Sequence, residues 1–220
     1  MSRIAVVGGH GQIARLLHPL LVAAGHTPVA LVRREGHRAE LEAAGVEVRL
    51  LDLEEQEAEG YAAAFDGCDA VVFAAGGGPD GNAERKRTVD LEGSLKSIAA
   101  ARQVGIARFV QISAIGVDEP TAEGAAPVWV AYDEAKRDAD AALRASGLAW
   151  TILRPGRLTN DPPTGLVELG TDPTRGDVTR ADVAAVVAAV LDEDATIERQ
   201  WVLIGGGTPV AEAIHTALAH

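Results

Sequence analysis

Residues 3–14 read Arg3-Ile4-Ala5-Val6-Val7-Gly8-Gly9-His10-Gly11-Gln12-Ile13-Ala14, and this stretch decides the fold. Four apolar residues in a row leave the first strand no polar face, which suits a strand covered by helices on both sides. Three glycines within four positions end it, and a helix follows over 12–24, closed by Gly25. Gly8 can take the positive φ of a tight turn. Gly11 lets a ligand approach the backbone, and Ala14 is small enough for close helix–strand packing. The start of that helix offers unpaired N–H groups and the positive end of a dipole. Pro19, inside it, predicts a kink.

The same alternation continues along the chain. Strands are predicted over 28–32, 46–50, 70–74, 108–112, 150–153 and 200–203. Helices are predicted over 35–44, 54–65, 82–104 with a break near Gly93, 130–145, 180–191 and 210–218. Such alternation specifies an α/β fold with a doubly wound parallel sheet, its crossovers right-handed, as one domain over 1–220. Residues 154–178 hold four prolines and four glycines and are expected to be loops that cover a substrate.

Composition narrows the function classes. The 220 residues carry a net charge of −12, which argues against a duplex-binding face. The one cysteine, Cys68, rules out an intrachain disulfide and a thiolate-only zinc site, and it is expected to be inert. No apolar run approaches the roughly 18 residues of a membrane span, and the start is too short for a signal-peptide core. The expectation is a cytoplasmic protein, a monomer or homodimer, working on a small molecule without nucleic acid or membrane. The six histidines lack ligand spacing, so no metal is expected. Trp129, Trp150 and Trp201 are expected in the core or an interface, and the acidic run 54–59 on a solvated helix face.

The glycine loop in this setting points to a dinucleotide, with Gly8, Gly9, His10, Gly11, Gln12 and Ile13 around its phosphates and His10 contributing its backbone. A strand end some 20 residues further on carries an acid in NAD binders. This chain has Arg33-Arg34 there, whose guanidinium groups suit a 2′-phosphate, so NADP(H) is expected over NAD(H). The alternative is a solvated surface pair. Asp52 and Leu53 follow the third strand, where the carboxylate either meets the adenine or caps the helix beginning at Glu54. Ala74, Ala75 and Gly76 are small residues that would line the cofactor. Tyr132 and Lys136 stand four apart on one helix face, in a chain with only two tyrosines and three lysines. Lys136 is expected to lower the Tyr132 pKa toward working pH, making the phenol an acid/base group. Ser113, at the carboxyl end of the fifth strand, is placed to hold a substrate oxygen. The alternative is a packed tyrosine beside a solvated lysine.

Residues 8–14, Ser113, Tyr132-x-x-x-Lys136, Thr151-Ile152-Leu153-Arg154-Pro155-Gly156 and Arg180-Ala181-Asp182-Val183-Ala184 together resemble the atypical short-chain dehydrogenase/reductases. The sequence looks most like their small bacterial NAD(P)-binding members, sugar-epimerase-like or NAD(P)H-binding. The resemblance implies a Rossmann-type fold, with Gly8, Gly11 and Ala14 in the phosphate loop, Arg33 reading the 2′-phosphate and Asp52 meeting the adenine. It implies Ser113, Tyr132 and Lys136 as a catalytic trio, Lys136 also on the nicotinamide ribose, and Pro155 and Gly156 beside the nicotinamide. Extended epimerases are longer than this chain. Flavin- and biliverdin-reductase-like relatives and nitrogen-regulator-like sensors bind the dinucleotide without a full trio. Three functions stay open: an NADP(H)-dependent oxidoreductase on a small carbonyl or alcohol, an epimerase or flavin/quinone reductase, and a non-catalytic redox sensor.

Overall fold

The structure is a computed structural model that describes residues 1–78, 81–171 and 175–219. β1 (Arg3–Val7) leads into α1 (Gln12–Ala23), then β2 (Thr27–Val32), α2 (Arg38–Ala43), β3 (Glu47–Leu50), α3 (Ala58–Phe65) and β4 (Ala70–Phe73). A continuous helical run follows: α4 (Ala83–Arg85), a π-helical segment Lys86–Glu92, and α5 (Gly93–Gln103). Then come β5 (Arg108–Ile112), α6 (Pro127–Arg144), β6 (Ala149–Pro155), β7 (Arg157–Thr159), β8 (Leu166–Gly170), β9 (Asp177–Thr179), α7 (Arg180–Leu191), β10 (Arg199–Gly205), β11 (Thr208–Pro209) and α8 (Val210–Leu218).

The sheet runs β11-β8-β10-β6-β5-β4-β1-β2-β3. It is parallel from β3 to β10, and β8 and β11 add antiparallel pairings at the far edge. β7 and β9 pair separately. Strand order reverses between β1 and β4, and the crevice at their carboxyl ends is where doubly wound sheets take ligands. Alternate residues of each strand feed opposite layers. Ile4 and Val6 join Leu17, Leu21, Val183, Val187 and Ile214 on the side of α1, α7 and α8. Ala5 and Val7 join Tyr61, Phe65, Ile98 and Leu143 on the side of α3, α5 and α6. Each large side chain buried this way is worth about 1.5–3 kcal/mol.

Several local expectations are corrected. α1 stays unbroken through Pro19. Gly93 is no break, because the helical run crosses it. The helix expected from 54 starts only at Ala58, because 53–55 form a turn in which Asp52 Oδ1 accepts from the Glu54 N–H at 3.0 Å. The stretch 154–178, expected as loops, contains β7, β8 and β9; its residues 172–174 lie outside the described set. Asp182 organises this stretch. Its carboxylate accepts from the N–H groups of Thr164 and Gly165 and from the hydroxyls of Thr164 and Thr179, while Thr179 caps α7 through the Asp182 N–H. Burial alone would raise its pKa, but these bonds bring it net below the usual carboxylate value. No described helix is long and apolar enough to cross a membrane.

Candidate functional site

Three adjoining clefts run along the carboxyl edge of the sheet. The first, about 330 Å³, is lined by Gly8, His10, Gly11, Arg33, Asp52, Leu53, Ala74, Ala75 and Gly76. The second, about 430 Å³, shares Ala74–Gly76 with it and adds Gln12, Ile13, Ser113, Tyr132 and Lys136. The third, about 630 Å³, shares Ser113 and Tyr132 and reaches Pro155 and Gly156. Two expected binding residues stand outside all three. Gly9 packs against β2, where a Cβ would come within 2.7 Å of Ala30, and Arg34 is exposed at the start of a short 3₁₀ turn. Gly156 lines the third cleft, yet its missing Cβ also serves packing, since one would come within 2.0 Å of the Gly176 carbonyl.

The glycine loop is shaped by close backbone approaches. Gly8 has φ +77°, and a Cβ there would stand 2.7 Å from the Ala75 Cα. The Gly11 N–H donates to the Gly8 carbonyl at 2.8 Å, and the Arg15 N–H to the Gly11 carbonyl at 3.0 Å. No side chain caps α1, and its first turn holds no acid. Among the described residues no side chain caps these first-turn N–H groups, and Gly11, Gln12 and Ile13 line the clefts, an arrangement that suits an anion. The His10 ring stacks on His37, centroids 3.6 Å apart, and His10 Nε2 lies 3.1 Å from Glu40. His18 supports the loop from inside, its Nε2 2.7 Å from the Gly9 carbonyl. At the end of β2, Arg33 lies 3.5 Å from Glu54, which also accepts from Thr88 and sits 3.5 Å from Arg85. Glu54 is thus a cleft residue, which corrects its place on a solvated face.

Around Tyr132 the geometry is denser. Lys136 Nζ donates to the Ile112 carbonyl at 3.1 Å and lies 3.3 Å from Asp90 Oδ1. Asp90 Oδ2 accepts from the Gly77 N–H at 2.8 Å. Burial pushes the Lys136 pKa down, but Asp90 and Tyr132 outweigh it and the net shift is upward, so the ammonium persists. Burial raises the Tyr132 pKa and outweighs the lowering by Lys136, with Asp90, Asp133 and Asp140 adding to the rise. The expected downward tuning is therefore reversed, and the group is a phenol at neutral pH. The Ser113 hydroxyl donates to Asp140 Oδ2 at 2.8 Å. Asp140 also accepts from Gln111 at 2.6 Å and Arg154 Nε at 2.9 Å, and Arg154 continues to Asp118.

Sequence reasoning missed Lys86, Asp90, Asp140, Trp129 and Arg180. Lysine scarcity was the available signal for Lys86, one of three in the chain. Its ammonium donates to the Gly78 carbonyl and stands 5.5 Å from the Tyr132 ring centre. Of the two expected places, core or interface, Trp201 takes the core, whereas Trp129 is 60% exposed on the cleft rim. Cys68 is buried, which raises its thiol pKa. No group of three or more His, Cys, Asp or Glu among the described residues could hold a metal ion.

The residues present fit a dinucleotide. The uncapped start of α1, the Cβ-free cradle at Gly8 and Gly11, and Arg33 would hold its phosphates. Asp52 and Leu53 would flank its adenosine, and Lys136 would reach its second ribose.

The sequence profile of an NAD(P)H-binding family matches residues 8–194. The chain is 43% identical to an uncharacterized sugar epimerase, YhfK, of Bacillus subtilis (strain 168), over 96% of this chain and 98% of that one. A solved Bacillus halodurans protein, provisionally assigned as an NAD-dependent epimerase/dehydratase, superposes with a TM-score of 0.90 at 38% identity, covering 98% and 100% of the two chains. The oxidoreductase ylbE of Lactococcus lactis gives 0.86 at 27% identity, covering 99% and 97%.

Proposed function

Because the chain belongs to the NAD(P)H-binding family, whose members here are oxidoreductase- and epimerase-like, we propose that it is an NADP(H)-dependent reductase of the short-chain type. Its substrate is a small carbonyl compound, or the corresponding alcohol in reverse. The observation that carries the reading is the convergence of Tyr132, Lys136 and Ser113 on the cleft lined by Gln12 and Ile13 of the uncapped helix.

When bound, the reduced nicotinamide supplies a hydride which, with one proton, converts C=O to CH–OH. Tyr132, kept protonated by burial, donates that proton to the carbonyl oxygen. Lys136, held by Asp90 and the Ile112 carbonyl, stabilises the phenolate left behind. Ser113 lines the same cleft; its hydroxyl, which donates to Asp140 Oδ2 in the free chain, turns to donate to the substrate oxygen and positions it beside Tyr132. The single free Cys68 accords with a reducing cytoplasm, and the chain works as a monomer or homodimer.

Tyr132→Phe tests the reading. NADPH oxidation with a panel of aldehydes, quinones and flavins should fall roughly 10²–10⁴-fold, the usual worth of a positioned acid. NADPH affinity, read by fluorescence titration, should hold within about twofold, because the hydroxyl acts on substrate. Unchanged turnover would remove Tyr132 from the chemistry. Tight binding without turnover by the native chain would leave a dinucleotide sensor.

A further inference from the structure

The second and third clefts together carry five cationic side chains against three carboxylates, in a chain whose net charge is −12. The cleft carboxylate Asp133 accepts from the Thr121 hydroxyl, and three of the five cations are matched: Lys136 with Asp90, Arg157 with Asp177, Arg175 with Glu119. Two are not. Among the described residues, Lys86 and Arg180 have no carboxylate partner. Lys86 is 8% exposed, and among the described residues its ammonium meets the Gly78 carbonyl and the face of Tyr132. A buried ammonium has three donors, and leaving them unmatched is costly. Arg180 is half-buried, and among the described residues it gives one bond, to Asn160 Oδ1 at 2.8 Å, out of five N–H donors. Both line the cleft that holds Tyr132, Ser113 and Lys136.

We propose that the cleft in front of Tyr132 takes substrates bearing an anionic group, a carboxylate or a phosphate, bound by Lys86 and Arg180. The proposal rests on the reductase reading for the chemistry done there, but the anion site is a separate property. Lys86 opens the π-helical segment Lys86–Glu92, a form frequent at functional sites, and lines the cleft, buried along with Val89 and Asp90. Trp129, edge-on to Tyr132 with ring centres 6.1 Å apart, offers an aromatic wall for the body of such a molecule. Charge surplus in a concave site within a negative molecule also concentrates anions locally.

Matched probe pairs test this on the full chain saturated with NADP⁺. The pairs are 4-formylbenzoate with 4-formylbenzamide, and phenyl phosphate with phenol, titrated by quenching of tryptophan fluorescence. At least one anion should bind about tenfold tighter than its neutral twin, as charge-assisted hydrogen bonds give. The better pair identifies carboxylate or phosphate as the head group. Lys86→Met and Arg180→Gln should each abolish most of that preference, whereas Lys86→Arg and Arg180→Lys should keep it. Equal binding of both members of both pairs by the native chain would overturn the proposal, without need of any variant. So would a Lys86→Met chain that loses NADPH affinity and keeps the probe preference, because Lys86 would then be a cofactor contact. Anion preference persisting in a chain that binds no dinucleotide would sink the reductase reading and leave the anion site standing.

Discussion

Cofactor choice is decided by single side chains, and Arg33 has a rival for its charge. Glu54 stands 3.5 Å away, with Thr88 holding its other oxygen at 2.7 Å. At that distance, with Arg33 some 42% exposed, the pair is worth under about 1 kcal/mol, so under the proposed reading a dianionic 2′-phosphate would displace it readily. Arg33→Ala should therefore weaken NADPH about tenfold or more and leave NADH within about twofold, as charge-assisted bonds of about 1.5–3 kcal/mol imply. Glu54→Gln should tighten NADPH a few-fold relative to NADH, because it releases both Arg33 and Arg85 from their shared carboxylate. Fluorescence titration of both variants with both cofactors checks this; an Arg33→Ala chain with native NADPH affinity would leave the arginine as surface charge. The place of Arg33 was legible because it follows from counting strands. Glu54 was not, because an acidic run carries no sign of the turn that points one member into a cleft.

At the level of elements, what could be read depended on length. β1, α1 and α7 are long or apolar enough for periodicity to fix them. β7 and β9 have three residues each, too few for an alternation, and were hidden among prolines and glycines. The π-helical segment has no compositional mark at all, so Lys86 and Asp90 could not be placed. The joint between β1 and α1 shows how one buried side chain governs a functional loop. His18 lies under the glycine loop, bonded to the Gly9 carbonyl, with Nδ1 unpartnered. Burial lowers its pKa from 6.5, although the Gly9 bond opposes the shift. Unfolded chains take up this proton as pH falls through about 6.5, while folded chains resist it. Stability contributed by neutral His18 is thus complete above 6.5 and declines below it, by at most about 1.4 kcal/mol per pH unit. Thermal melts from pH 8 to pH 5 should show that decline, and His18→Gln should flatten it while loosening the loop and weakening NADPH. An equal decline in the variant would assign the acid sensitivity to other groups.

Over the whole molecule, the clefts and the core belong to the same sheet. The loops that would hold a dinucleotide leave the carboxyl ends of β1, β2, β3, β4, β5 and β6, so a bound cofactor would meet the ends of nearly every parallel strand. The antiparallel edge is tied in as well. Val167 and Leu169 of β8, Trp201 and Leu203 of β10 and Ile214 of α8 share one apolar cluster with Leu17 and Leu21 of α1. No strand or helix at that edge has a core of its own, so residues 1–220 should unfold in one transition, and cofactor should shift all of it. A ligand at 100 times its dissociation constant stabilises the native state by about 2.7 kcal/mol. For a domain of this size each kcal/mol raises the midpoint about 2–4 °C, giving a shift of about 5–11 °C with NADPH. NADH at the same concentration, if bound tenfold more weakly, should give about half that shift, since tenfold in affinity is about 1.4 kcal/mol. Calorimetry with and without each cofactor measures both quantities. A second transition that ignores NADPH would mean that the edge formed by β8, β11 and α8 folds apart from the cofactor sheet, and the single-domain reading would fall with it.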